Sequence, residues 1–331
     1  MKKKSFLKSA AKAAGITLGV LCVLVIGLVL LVTHNFGDAY EDYDTTNTNI
    51  TEYGKTLVSA HRSGGGIFPE NTMMAFEGCI NSDTFRTDIF EFDLHITKDD
   101  QLIILHDSTL DRTTDAEEVF GEEGIRPENY TYEEISVLNF GDDFENDNGE
   151  MPYRGLRGDE VPESLHAARL PDVLDYLQSN GDFGYIIEIK NSGELGNKAA
   201  DILYNTLKER NLLDNAVIGT FNDGVTKHMD EAYPDMKRSA SIMEVVQVYF
   251  LSLLGIDRQG AYKFSALQIP AGLSILRLDT TRLVNYAHRH DIAVQYWTIN
   301  DEAEMAHLRE IGADCIMSDI PDVAYEILNT K

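Results

Sequence analysis

Sorted into apolar and polar positions, the chain falls into three parts. Residues Ile16 to Val32, "ITLGVLCVLVIGLVLLV", are almost wholly apolar. The run is just long enough for a helix to cross a bilayer. Residues 35–55, "NFGDAYEDYDTTNTNITEYGK", are polar and without periodicity, and read as a linker. From residue 56 onward, short apolar runs alternate with amphipathic stretches. The pattern predicts strands over Leu57–Ala60, Ile89–Asp93, Tyr185–Ile189, Ala216–Phe221, Arg238–Ile242, Ala266–Ile269, Ala293–Ile299 and Cys315–Ser318. Between them lie helical patterns such as "NTMMAFEGCI", "NKAADILYNTLKERN" and "TTRLVNYAHRH". Eight strand-helix alternations predict a (β/α)8 TIM barrel over 56–331, with an open doubly wound sheet as the alternative.

Two stretches break the alternation, and a third is singled out by its apolarity. "QLIILHDSTLDRTT" places an apolar run too soon after the second strand for a helical crossover, so it predicts an inserted hairpin. Ala116 to Arg169 is acidic and punctuated by glycine, an irregular excursion with one helix at "TYEEISVL", expected to shape the substrate site. "EVVQVYFLSLLGI", Glu244 to Ile256, is unusually apolar, and reads either as a barrel helix or as a segment dipping into membrane.

Charge narrows the partners. With 28 basic against 55 acidic residues the formal charge is −27, which repels nucleic acid phosphates. The lysines of "MKKKSFLKSAAKAAG" flank the apolar run on one side only, so the positive-inside rule makes 1–15 cytoplasmic, 16–34 a transmembrane signal anchor in the cell membrane, and the domain extracytoplasmic. A cleaved signal peptide is the competing reading, disfavoured by the length of the run and by the lack of a clean cleavage site. Of three cysteines, Cys22 falls in the anchor, and Cys79 and Cys315 fall in core elements as unpaired thiols.

Candidate chemistry gathers at strand ends. In "IFEFDLHIT" strand alternation puts Glu91 and Asp93 on one side, opposite Phe90, Phe92 and Leu94. Glu188 ends "YIIEI" and Lys190 follows on the same face. Three carboxylates aimed into a barrel call for a cation, and oxygen donors suit Mg2+ or Ca2+. His61 and His106 end the first strand and the hairpin, where two imidazoles can serve as base and acid near neutral pH. Arg62 and Lys190 can bind an anion, as can backbone N–H groups of the glycine run 64–66. The set points to phosphodiester cleavage.

The stretches "AHRSGGGIFPENTMMAF", "FEFDLHITKDDQLIILHDSTLDRTT", "LPDVLDYL", "IIEIK" and "YWTINDEAEMAHLREIGADCIMSDIPD" resemble, in that order, the motifs of glycerophosphodiester phosphodiesterases. The resemblance covers about residues 57–329. It implies a barrel that hydrolyses glycerophosphodiesters, with a metal, to an alcohol and sn-glycerol 3-phosphate. It also implies His61 and His106 as the acid/base pair, Glu91, Asp93 and Glu188 as metal ligands, and Arg62 and Lys190 as phosphate contacts. The corner "SGGGIF" is longer than the family's usual one, and the excursion 116–169 matches poorly. The alternatives are a lysophospholipase D or phospholipase acting on membrane lipid, and a non-catalytic barrel that binds without cleaving.

Other residues have plainer readings. Trp297 ends the seventh strand, where it either walls the substrate site or packs in the core. Glu70 reads as a helix-start carboxylate and Asp319 as a helix cap. His95 lies where the chain should be leaving the barrel and reads as a surface residue, and His166, His228, His288, His290 and His307 read as solvated. Of the catalytic pair, His106 is expected to protonate the leaving alkoxide and His61 to act as base.

Overall fold

The computed structural model describes Gly27 and residues 38–258, 260–273 and 276–330. The expected membrane anchor, 16–34, lies outside these residues except for Gly27. Among the described residues no helix is long and apolar enough to cross a membrane.

Strands run in chain order as β1 (Leu57–Ala60), β2 (Ile89–Ile96), β3 (Leu102–Ile104), β4 (Gly184–Ile189), β5 (Ala216–Gly219), β6 (Ala266–Ile269), β7 (Gly272–Leu273), β8 (Leu276–Arg277), β9 (Ala293–Tyr296) and β10 (Cys315–Ser318). Eight helices alternate with them: α1 (Met73–Ile80), α2 (Leu170–Asn180), α3 (Gly193–Glu209), α4 (Asp223–Ala232), α5 (Ile242–Leu254), α6 (Thr281–Arg289), α7 (Glu302–Glu310) and α8 (Pro321–Asn329). The parallel path β5-β4-β2-β1-β10-β9-β6 curls into a TIM-barrel-like sheet of seven strands. Its gap is spanned by two parallel bridges, Ile218 with Arg238 and Ser239 with Ala266. The expected fifth strand, Arg238–Ile242, is thus reduced to those two residues. The cause is local. Ser241 forms a capping box with Glu244 that starts α5 at Ile242, and the Arg238 guanidinium is held by Asp230 (2.6 Å) and Glu244 (2.8 Å).

Strand alternation builds the interior as anticipated. Phe90, Phe92 and Leu94 face outward into the main apolar cluster beside Phe76 of α1. Inside the barrel, Ile89, Ile186, Cys315 and Met317 form one layer. Below it Val217, Ala266 and Ala293 form another, and Ile50 packs against it from the linker. Cys79 and Cys315 are buried free thiols.

The linker is no free tether. From Asp38 it runs without regular structure across the barrel's N-terminal end, bonded at each step. Glu41 N–H donates to Asn285 Oδ1 (3.0 Å), Asn47 Nδ2 to the Ser265 carbonyl (2.7 Å), and Thr51 N–H to Asp314 Oδ1 (2.8 Å). Asp291 accepts from Thr45, Thr46 and Asn47, and Tyr40 stacks on Tyr53. Polar, aperiodic composition conceals such a strap because its partners are scattered backbone groups and loop carboxylates.

The hairpin is present: β2 pairs antiparallel with β3, with His95 opposite Ile103. Because β2 runs on to Ile96, His95 has not left the barrel and is buried, not a surface residue. Burial depresses its pKa to about 4, so the ring is neutral, and neither ring nitrogen has a partner. His288 is likewise buried rather than solvated, its Nε2 lying 2.9 Å from Asp314. The excursion carries short helices at Ala116–Phe120 and Tyr132–Ile135, the latter opened by a Thr131–Glu134 capping box. It folds over a small core of its own, with Leu110, Ile125, Ile135 and Phe140, against the hairpin.

Candidate active site

The C-terminal ends of the strands enclose a cavity of about 160 Å3. All eight residues singled out in the sequence line it: His61, Arg62, Glu91, Asp93, His106, Glu188, Lys190 and Trp297. Parallel register accounts for the carboxylates. β2 and β4 pair with Asp93 opposite Glu188, and Glu91 precedes Asp93 by one pleat repeat on the same face. Oxygens of Glu91, Asp93 and Glu188 lie within 4.8 Å of one another. Glu91 and Asp93 are buried, and Glu188 is half-buried. Burial, with Asp93 adding repulsion, pushes the Glu91 carboxyl up to about 8. Burial also raises Glu188. Asp93 stays low despite its burial, because Lys190 Nζ lies 3.0 Å away and Asn71 Nδ2 donates to it at 3.0 Å. Lys190 also reaches Glu188 at 3.0 Å.

Each histidine is held from behind by a carboxylate. His61 Nδ1 lies 2.6 Å from Asp319 Oδ1, and its Nε2 sits 3.9 Å from Glu91 and 3.4 Å from the Thr298 hydroxyl. Asp319 is fixed in turn by Asn300, whose Nδ2 donates to Oδ2 at 2.7 Å. Burial lowers the His61 pKa, but Glu91 and Asp319 outweigh it and the net shift is upward. His106 Nδ1 lies 2.7 Å from Asp107, and burial leaves this ring below its usual value. Arg112 secures Asp107 (2.6 Å) and also bonds Glu70 (2.6 Å). Hydrogen bonds from Arg112 hold the Asp107 carboxyl well below the carboxylate range.

Several expectations change. Asp319 is not a helix cap but the partner of His61. The signal was topological: in a closed barrel β10 lies beside β1, with Ser318 level with Ala60, so residues 61 and 319 leave neighbouring strands together. Glu70 acts through Arg62 (3.2 Å) and Arg112 rather than through the helix dipole, and Thr72 caps α1 instead. The glycine run offers no anion cradle, since the N–H groups of Gly64 and Gly65 bond the His61 carbonyl and that of Gly66 bonds Asp319. The run is needed for closeness. Gly64 has φ +92°, and a Cβ on Gly66 would lie 2.8 Å from the Asp319 carbonyl oxygen. No residue of 116–169 lines the cavity; Ile242 and Val245 of α5 do, with Phe221, which meets Trp297 edge-on.

A buried three-carboxylate cluster flanked by two carboxylate-held imidazoles and two cations is a site for phosphoryl chemistry. The glycerophosphoryl diester phosphodiesterase family matches residues 61–323. The chain belongs to that family. It is a phosphoric diester hydrolase, with glycerophosphodiester phosphodiesterase activity supported by its relatives. A glycerophosphodiester phosphodiesterase of Bacillus altitudinis is 26% identical over 275 residues, 82% of this chain and 98% of its own. The lysophospholipase D GDPD1 of Rattus norvegicus is 23% identical over 297 residues, 82% of this chain and 85% of its own. Among solved structures, a putative glycerophosphoryl diester phosphodiesterase from Silicibacter pomeroyi superposes with TM-score 0.65 at 18% identity, covering 85% of this chain and 95% of that one. An Oleispira antarctica phosphodiesterase, solved with the product sn-glycerol-3-phosphate, gives TM-score 0.60 at 21% identity, covering 83% and 97%.

Proposed function

We propose that this chain hydrolyses glycerophosphodiesters to an alcohol and sn-glycerol 3-phosphate at the outer face of the cell membrane, with a divalent cation, Mg2+ or Ca2+, held by Glu91, Asp93 and Glu188. The observation that carries the reading is the pairing of His61 with Asp319 and of His106 with Asp107 on either side of the carboxylate cluster. The donor set fits a hard cation: three carboxylates, two of them buried, with the Glu91 carboxyl pushed up by burial and by the Asp93 charge beside it. When bound, such a cation polarises a phosphoryl oxygen and offsets the charge on phosphate.

With Asp319 on Nδ1, His61 presents Nε2 to the cavity as the base that takes the nucleophile's proton. With Asp107 on Nδ1, His106 supplies the proton to the departing alkoxide through its other nitrogen. Arg62 and Lys190 sit where they bind phosphate oxygens, and Trp297 walls the side of the cavity that holds the glycerol. A second reading, lysophospholipase D, is favoured by the apolar wall of Phe221, Ile242, Val245 and Trp297 and by relatives of that name.

The test is choline release from glycerophosphocholine and lysophosphatidylcholine by the purified full-length protein, with and without EDTA. Glycerophosphocholine should be hydrolysed, EDTA should abolish the activity, and Mg2+ or Ca2+ should restore it. Full activity in metal-free protein would remove the cation from the reading, and no turnover of either substrate would leave a binding module. Protease added to intact cells should cut within 116–169, and protection until lysis would overturn the extracytoplasmic placement.

A further inference from the structure

One helix of this acidic molecule, α5, carries no free carboxylate. Of the twelve large apolar side chains most exposed among the described residues, six lie between 242 and 256: Ile242, Met243, Val246, Phe250, Leu254 and Ile256. The positions 242, 246, 250 and 254 recur every fourth residue, so they form one stripe along α5, while Val248, Tyr249 and Ser252 face the barrel. The helix has a single charged residue, Glu244, and its carboxylate is taken up by Arg238 at 2.8 and 3.0 Å. A contiguous exposed apolar face of this kind marks an interaction surface.

Both ends of the stripe lead somewhere. At its upper end Ile242 and Val245 line the catalytic cavity. At its lower end Leu253, Leu254 and Gly255 border a cleft shared with Asp38 and Arg282, where Arg282 Nε donates to Asp38 at 2.9 Å. The helix between them is thirteen residues long, which corresponds to about 20 Å. The apolar run ending at Val32 is joined to Asp38 by five residues, a reach of at most about 20 Å. A bilayer that takes up that run therefore lies within this distance of Asp38, which shares a cleft with the foot of α5.

We propose that α5 rests in the membrane interface and that the site takes its substrate from there: a lysophospholipid, which is a glycerophosphodiester bearing one acyl chain, with that chain leaving the cavity over Ile242 and Val245. This rests on the glycerophosphodiesterase reading. The occupant of the stripe is lipid rather than a protein because Asp38, at the foot of the stripe, is joined by only five residues to the chain's own apolar run. Elsewhere the strongly acidic surface would be repelled by anionic headgroups, whereas the one charge on α5, Glu244, is paired with Arg238.

The test uses the full-length protein in vesicles of phosphatidylcholine and phosphatidylglycerol. The chain has one tryptophan, Trp297, so Phe250→Trp adds a single reporter. Bromine-labelled acyl chains should quench the added indole. An unquenched indole in protein that hydrolyses glycerophosphocholine would overturn the docking and leave the function standing. The triple variant Val246→Ser, Phe250→Ser, Leu254→Ser should lose about tenfold or more on lysophosphatidylcholine held in vesicles, as expected for removing three interfacial apolar side chains, and keep its rate on glycerophosphocholine. Equal losses on both substrates, or no loss on either, would overturn the proposal. So would a dimer that the triple variant dissociates, since the stripe would then be covered by a second copy. If the unaltered protein cleaves neither substrate the functional reading fails, and the quenching still reports on the docking.

Discussion

Asp319→Asn tests the pairing on which the catalytic reading depends. Asp319 holds His61 Nδ1 at 2.6 Å and takes Asn300 Nδ2 at 2.7 Å on its other oxygen. An asparagine keeps the shape but has one oxygen for two donors, so it satisfies either His61 or Asn300 and turns an N–H toward the other. The lost charge-assisted bond contributes about 1.5–3 kcal/mol. At about 1.4 kcal/mol per decade this is about ten- to a hundredfold in kcat. The Asp319 side chain is 31% exposed, which favours the lower end, about tenfold. The variant should fold normally. Asp319 raises the His61 pKa, so removing its charge lowers that pKa and moves the acid limb of the kcat/KM profile to lower pH. The assay is choline release from glycerophosphocholine across pH 5–9, with Tm as control. A loss of less than about twofold together with an unmoved acid limb would show that Asp319 does not act through His61.

Four further outcomes are expected. Glu91→Gln should abolish turnover and weaken Mg2+ or Ca2+ binding by calorimetry, and unchanged binding would remove Glu91 from the ligand set. On a glycerol aryl phosphodiester, whose phenolate leaves with little protonation, His106→Ala should retain far more activity than on glycerophosphocholine, while His61→Ala should be impaired on both; the opposite pattern would exchange the roles. Burial raises the Asp230 and Glu244 carboxyls, but bonds from Arg238 hold both below their usual values, so their contribution to stability is present above the ordinary carboxylate range and lost as pH falls through their folded values. Glu244→Gln should thus lower Tm at pH 7 and flatten its decline toward pH 3, and parallel Tm curves would refute the coupling. Ile50→Ala should cost about 1–2 kcal/mol, seen as a Tm lower by a few degrees with kcat unchanged, because Ile50 is half-buried against the floor of the barrel.

The residues legible in the sequence were those whose position follows from strand period alone. Glu91, Asp93 and Glu188 could be placed on one face because a strand alternates every residue, and His61 and His106 because each ends an apolar run. Asp107 and Arg112 were hidden because a carboxylate after a histidine, followed by an arginine five residues on, is unremarkable until the hairpin folds them together. Asp319 required knowing which strands are neighbours. Arg238–Ile242 was read too long because the Ser241–Glu244 capping box inside it starts α5 at Ile242, and because Arg238 is buried between Asp230 and Glu244 rather than paired in a strand. The expected role of 116–169 at the site failed for a related reason. Its apolar residues are spaced to build a separate small core, and the cavity wall came instead from α5, whose apolar excess had two readings in the sequence.

The strap also sets where this molecule can be divided. A cut placed by composition would fall near residue 56, at the first strand, because 38–55 reads as dispensable linker. Such a cut would strip Ile50 from the barrel floor and leave Asp291 and Asp314 without the Thr45, Thr46, Asn47 and Thr51 groups they accept from. The folding unit therefore includes residues 38–55, the greater part of the segment that reads as a tether in the sequence. A pull applied at Asp38 is accordingly borne as shear along a row of bonds across the strand starts, and the catalytic end of the barrel stays out of the load path.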